Sequence, residues 1–201
     1  MNHHIVSPEV HEHHTQEQES MKMLGFWIFL VTDVILFGTL FATYVVLVHN
    51  TAGGPDGKEL FELPGIVAET FILLTSSFTS GIAVLQMQAK KVNGMIFWLI
   101  ITALLGLSFI YLEISEFVKM VHEGATISTS AFLSAFFTLV GTHGVHVSVG
   151  IGWVIALMIQ LKKYGITTVT KRKITNFSLY WHFLDVVWIF LFTVVYLIGV
   201  M

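Results

Sequence analysis

The sequence predicts an all-α integral membrane protein, a bundle of five transmembrane helices with its N-terminus in the cytoplasm and its C-terminus outside. Three observations carry that expectation. Of 201 residues, 55% are hydrophobic and 11% are charged, against roughly 25% charged in an ordinary soluble domain, so a charged coat for a water-soluble globule is missing. Five apolar runs, near 24–48, 65–87, 95–116, 130–161 and 177–200, each reach the ~20 residues that a helix needs to cross a hydrocarbon core of about 30 Å. All three prolines, Pro8, Pro55 and Pro64, fall outside those runs, which leaves each span free to be an unbroken helix.

Residues 1–20 precede the first span. They hold Glu9, Glu12, Glu17 and Glu19 and the histidines His3, His4, His11, His13 and His14, without Lys or Arg. This composition predicts a disordered, solvated tail rather than a cleavable signal or an ordered metal site. The domain proper is expected over 21–201. Its first run, typified by Gly25 to Phe41, is apolar on every side and lacks the period-two alternation of a β-barrel strand. The segment Thr51-Ala52-Gly53-Gly54-Pro55 breaks the chain before the second run, and the polar segments 88–94 and 162–176 separate the later ones. The fourth run is longer than the bilayer requires, so it must tilt or project.

Orientation follows from the basic residues of alternate loops. Lys22, Lys90, Lys91, Lys162, Lys163, Lys171, Arg172 and Lys173 fall on one side, while Lys58 and Lys119 fall on the other. The first side is therefore the cytoplasmic one. The basic segment 162–176 needs no partner beyond anionic lipid headgroups. Trp27, Trp98 and Trp181 fall near the inner boundary, and Tyr44, Tyr111 and Tyr196 near the outer, as interfacial anchors would.

Composition also excludes function classes. A formal net charge of −3 with few basic residues leaves no electrostatic footprint for nucleic acid. The absence of cysteine removes disulfides, thiolate metal sites, iron–sulfur clusters and thiol nucleophiles. No internal repeat and no paired Gly/Pro interruption of the spans suggests a carrier.

The candidate functional residues are the ionisable groups within or at the edges of the spans: Asp33, Glu69, Glu113, Glu116, His143, His146, His182 and Asp185. No Lys or Arg accompanies them, so Asp33 and Asp185 are expected to be neutral acids or partners of a histidine. His182 and Asp185 share a helix face, as do His143 and His146, and both polar faces should point into protein. Two readings stay open: interhelical hydrogen bonds that lock the bundle, or a proton path or ligand site. A b-type haem between His146 and His182 is disfavoured by depth. At 1.5 Å per residue they lie roughly 22 Å and about 8 Å from the inner ends of their spans. Small residues, Gly141, Gly144, Ser148, Gly150 and Gly152 with Ser77 and Gly81, suit close helix packing.

The runs Tyr180-Trp181-His182-Phe183-Leu184-Asp185-Val186-Val187-Trp188 and Gly141-Thr142-His143-Gly144-Val145-His146-Val147 resemble the two signature helices of haem–copper oxidase subunit III. Leu24-Gly25-Phe26-Trp27 with Asp33, Phe61-Glu62-Leu63-Pro64 and Glu113 to Phe117 extend the likeness to all but the first ~20 residues. Five spans and the Gly-Gly-Pro loop look most like subunit 3 of bacterial bo- and aa3-type quinol oxidases, with five-span cytochrome c oxidases as the alternative. At the position of Asp33 the wider family commonly has a reactive Glu. The resemblance implies an accessory, non-catalytic subunit of a proton-pumping terminal oxidase in the bacterial inner membrane. It would hold no haem or copper itself and pack on subunit I beside subunit II and a small subunit IV. It would also shelter phospholipid and support proton uptake. The rival of another class is a membrane b-type cytochrome or anchor subunit, and a third reading is an independent proton-coupled transporter.

Overall fold

A computed structural model describes residues 8–53, 60, 63–197 and 199, with side chains from Ser20 onward. It is helical throughout: α1 Pro8–Leu47, α2 Leu63–Gln88, α3 Val92–His122, α4 Ala131–Tyr164 and α5 Thr168–Leu191, the last continuing as a π-helical turn over Phe192–Leu197. Five stretches are long and apolar enough to cross a membrane: Ser20–Leu47, Leu63–Gln88, Val92–His122, Ala131–Tyr164 and Thr168–Leu197. The five expected spans are thus all present, and the main differences lie at their ends.

α1 begins at Pro8, inside the segment expected as a solvated tail. Proline suits a first helical position. The Glu, Gln, Met and Lys that follow it are good helix formers, and a helix already nucleated by an apolar span extends cheaply through them. His3 and His4 lie outside the described residues. α3 runs past the expected limit at 116 to His122, and α5 starts at Thr168 rather than 177. The α5 extension, Thr168 to Asn176, is polar and basic, which hydropathy misses, while the α3 extension continues an apolar pattern through Phe117, Val118, Met120 and Val121 with Lys119 and His122 among them. Ser130 and Thr167 cap α4 and α5 by accepting the Leu133 N–H at 3.1 Å and the Thr170 N–H at 3.2 Å, which satisfies donors that a helix start leaves open. The 34 residues of α4 make a rod of about 51 Å, longer than the hydrocarbon as expected.

The chain divides into two compact units, one ending at Gly38 and one starting at Thr39. The first is the single helix α1 up to Gly38. In the second, α2 packs on α3, α3 on α4, α4 on α5 and α5 back on α2, a closed ring of four helices. Connections of a few residues make successive helices antiparallel, so the turn 89–91, with Lys90 and Lys91, and the turn 165–167, just after Lys162 and Lys163, share one end of the ring. Lys90 takes a left-handed backbone, φ 57°, in the first of these turns, and its N–H bonds the Met87 carbonyl at 3.0 Å. At the second, Gly165, φ 65°, ends α4, a conformation that costs glycine nothing.

Indole rings hold the ring of helices together. Trp181 on α5 is 1% exposed and lies between two glycines. A Cβ on Gly150 of α4 would come within 2.7 Å of its ring, and one on Gly106 of α3 within 3.0 Å. Its N–H donates to Ser76 Oγ of α2 at 3.0 Å, and the Ser76 hydroxyl donates to the Thr102 carbonyl of α3 at 3.3 Å. Thr79 and Thr102 join α2 to α3 again through their hydroxyls at 2.9 Å. One side chain thereby fixes four helices. Two turns further on, Trp188 donates to Thr70 Oγ1 at 3.1 Å and meets Phe109 edge-on, with ring centroids 4.7 Å apart.

The interfacial expectation for three aromatics is corrected here. Trp181, Tyr44 and Tyr196 are each 1% exposed, inside the second unit. Each carries a polar tip, and the helix ring offers burial for the body, which outweighs an interfacial position. Trp27 and Tyr111 do face outward.

Candidate functional site

The polar residues of the second unit gather at two levels. The deeper one lies between α2 and α5. Ser77 hydrogen-bonds to His182 Nδ1 and stands in hydrogen-bonding reach of the Asp185 carboxyl. His182 and Asp185, three residues apart on α5, thus converge on one serine of the neighbouring helix. Their shared face points into protein, as the spacing predicts. Ser77, expected as a packing residue, is the joint between them.

The second level is an acid cluster at the end of the ring remote from the turns 89–91 and 165–167. Glu69 comes from α2, Glu113 and Glu116 from α3, and the three carboxyl groups are close enough to interact electrostatically. α2 starts where α3 ends, so helices running in opposite directions bring these residues to the same depth. Glu69 lies about 9 Å from the start of α2 and Glu116 about 9 Å from the end of α3. Glu69 and Glu113 are buried, 3% and 4% exposed, and Oε2 of the first and Oε1 of the second make no hydrogen bond. Glu113 rests on α4 where the backbone is bare: a Cβ on Gly144 would fall 2.7 Å from its Oε2. The glycine makes room for the carboxyl group.

The π-helical turn completes this level. Its wider coil turns Tyr196 toward the three acids and Tyr44, and the Tyr44 hydroxyl donates to the Val195 carbonyl at 3.4 Å. Such turns are rare and recur at functional sites. Beside the cluster a cavity of about 190 Å³ opens between α2 and α3, lined in part by Glu69, Glu116, Lys119 and Glu123.

His143 and His146 do not act as a pair. His143 is fully buried with its ring beside Trp188 and Phe109, centroids 5.3 and 5.8 Å away. His146 is half-buried, and its Nδ1 bonds the Thr142 carbonyl of its own helix at 2.7 Å, while its carbonyl receives the Tyr180 hydroxyl at 3.0 Å. Asp33 lies in the first unit, on the stripe Leu30, Asp33, Phe37 of α1. Of the small residues, Gly144 and Gly150 make close approaches and Gly141 an ordinary one, its Cβ position 3.8 Å from Phe117. A Cβ on Gly81 or Gly152 would meet nothing within 4 Å, and Ser148 is exposed with its hydroxyl on the Gly144 carbonyl at 2.9 Å. Among the described residues no three His, Asp or Glu stand together as a metal would require.

Sequence reading passed over Trp181, Trp188, Ser76, Gly106, Tyr44 and Tyr196 as parts of this interior. The available signal was the fifth span itself, where tryptophans at 181 and 188 stand seven residues, two helical turns, apart and so line one face.

Trp181 and Trp188 of the wedge, Gly144, and Glu113 and Glu116 of the acid cluster fall in segments that carried the likeness noted above. A family model for cytochrome c oxidase subunit III matches residues 3–200. The chain belongs to this family. Its relatives include the quinol oxidase subunit 3 of Bacillus spizizenii, 57% identical over 91% of this chain and 90% of the relative. The cytochrome bo(3) ubiquinol oxidase subunit 3 of Pseudomonas aeruginosa is 51% identical over 94% and 91%, and a Bacillus cytochrome c oxidase subunit 3 is 49% identical over 96% and 93%. Membership makes this subunit III a component of a haem–copper oxidase, and with its five long apolar helices a multi-pass membrane protein of bacterial kind.

Proposed function

We propose that this subunit III is the accessory subunit of a proton-pumping quinol oxidase of the bacterial inner membrane, with its N-terminus cytoplasmic. The observation that carries the donor is the identity to quinol oxidase subunits 3 from both Bacillus and Pseudomonas. In this reading haems, copper and the oxidation of quinol belong to partner subunits. This chain has no catalytic centre. It stabilises subunit I, beside subunit II and a small subunit IV, shelters phospholipid and supports proton uptake. The bundle's polar interior supports that reading: hydrogen bonds within it join helix to helix at Trp181 and Ser76 and at His182 and Ser77. A cytochrome c donor is the second reading, favoured by the 49% identity to the Bacillus cytochrome c oxidase subunit 3. Oxygen uptake by the purified complex tests the donor. Quinol should sustain turnover and reduced cytochrome c should not, and the reverse result assigns the second reading.

Asp33 is proposed to tune the proton environment without being required for oxygen reduction. Asp33→Asn should assemble and change turnover, or its persistence, only moderately. An assembled complex devoid of oxygen reduction would show a larger role.

A further inference from the structure

The acid cluster contains a feature that interhelical locking does not explain. A carboxyl oxygen buried without a hydrogen-bond partner costs about 1–3 kcal/mol, and Glu69 and Glu113 each have one. Two Leu side chains would pack the same helices without that cost. The cavity beside them supplies a reason. Its volume of about 190 Å³ is far above the ~10–15 Å³ that one water occupies by such a measure. Its wall carries Glu69 and Glu116 on the inside and Lys119 and Glu123, both exposed, toward the helix ends. Glu113 lies behind Glu69 and Glu116, against the bare backbone of Gly144. Tyr196 and Tyr44 face the cluster from the π-helical turn and from α1.

We propose that this cavity is a proton-exchange site, filled by hydrogen-bonded water that links the surface groups Lys119 and Glu123 through Glu116 and Glu69 to the buried Glu113. Water satisfies the orphaned Glu69 oxygen as donor. Each exchange moves one proton along the chain of waters and carboxyl groups, with no electron transferred. The site opens at the end of the ring remote from the turns 89–91 and 165–167, so it serves the opposite aqueous phase from those turns. It stands on the geometry of the second unit and does not depend on which donor the oxidase uses.

Two methionines make the hydration measurable. Met120 and Met95 are equally buried, 2% and 0% exposed, but only Met120 lines the cavity. Hydroxyl radicals generated from water by a brief X-ray pulse on the intact complex oxidise methionine sulfur where water touches it. Met120 should gain oxygen several-fold faster than Met95. Equal protection of the two would overturn the proposal. The proton arm uses the deuterium-sensitive infrared band of the buried carboxyl group, assigned by its loss in Glu113→Gln. Its exchange should slow several-fold in Ala68→Leu, which fills the cavity, and in Gly65→Leu should the first variant fail to assemble. Unchanged exchange in a filled cavity would likewise overturn the proposal.

Discussion

The tryptophan wedge and the acid cluster stand one above the other in the same ring of helices, and they use polar atoms in opposite ways. Around Trp181 the indole, Ser76, Thr79 and Thr102 all have partners, several of them on a neighbouring helix: indole to Ser76, Ser76 to the Thr102 carbonyl, Thr79 with Thr102. At the acid cluster, oxygens of Glu69 and Glu113 are left over. Both regions recruit a glycine of α4 to bring a large group against backbone, Gly150 under Trp181 and Gly144 under Glu113. A rigid indole with satisfied bonds holds helices at a fixed spacing. A carboxyl group on a flexible stem, half satisfied, is built for exchange with something mobile. The contrast separates the part of the chain that makes the bundle from the part that the bundle positions.

Five substitutions sharpen or break that contrast. Trp181→Ala removes the wedge and its interhelical hydrogen bond together and should cost about 3–5 kcal/mol, seen as lost subunit retention after detergent extraction. Gly150→Ala sets a methyl group against the same rigid ring and should cost about 1–3 kcal/mol by thermal melting of the complex. Gly144→Ala meets only a movable carboxyl group, so its cost should be clearly smaller. Equal costs would erase the distinction between the two regions. Ser77→Ala removes the joint between His182 and Asp185, worth about 0.6–1 kcal/mol for an interhelical bond in a bilayer. It should lower subunit retention slightly while turnover per retained complex stays unchanged. The smallest effect is a gain: Lys90→Gly relieves about 1 kcal/mol of left-handed strain and returns part of it as chain entropy. A net stabilisation of roughly 0.5 kcal/mol should appear as a higher melting temperature.

The five spans were legible in the sequence because apolar length alone decides whether a helix can cross a membrane. Their polar ends were not. Thr168 to Asn176 reads as a basic loop in hydropathy, yet the Thr167 cap starts a helix there. Within the candidate site, the pairing of His182 with Asp185 on one face followed from helical spacing. That both would turn on Ser77, 105 positions away from His182, depends on the register between α2 and α5, which no local pattern encodes. The convergence of Glu69 with Glu113 and Glu116 has the same origin. Tyr196 was expected at the lipid boundary from its depth along the span alone, which does not say which way a side chain faces, and in the π-helical turn it is buried. Gly144 read only as a small residue, since its role lies in the carboxyl group that approaches it from α3.

As proposed, this subunit III is an accessory subunit whose oxidase partners hold the redox centres. The direct measurement is an absorption spectrum of the complex recovered through a tag on this chain in mild detergent, followed by a spectrum of the chain after it is stripped away. The complex should show haem bands and quinol-driven oxygen uptake, with haem- and copper-bearing subunits in fixed stoichiometry, and the separated chain should show no Soret band. A Soret band that stays with this chain, or recovery of the chain alone and functional, would contradict it.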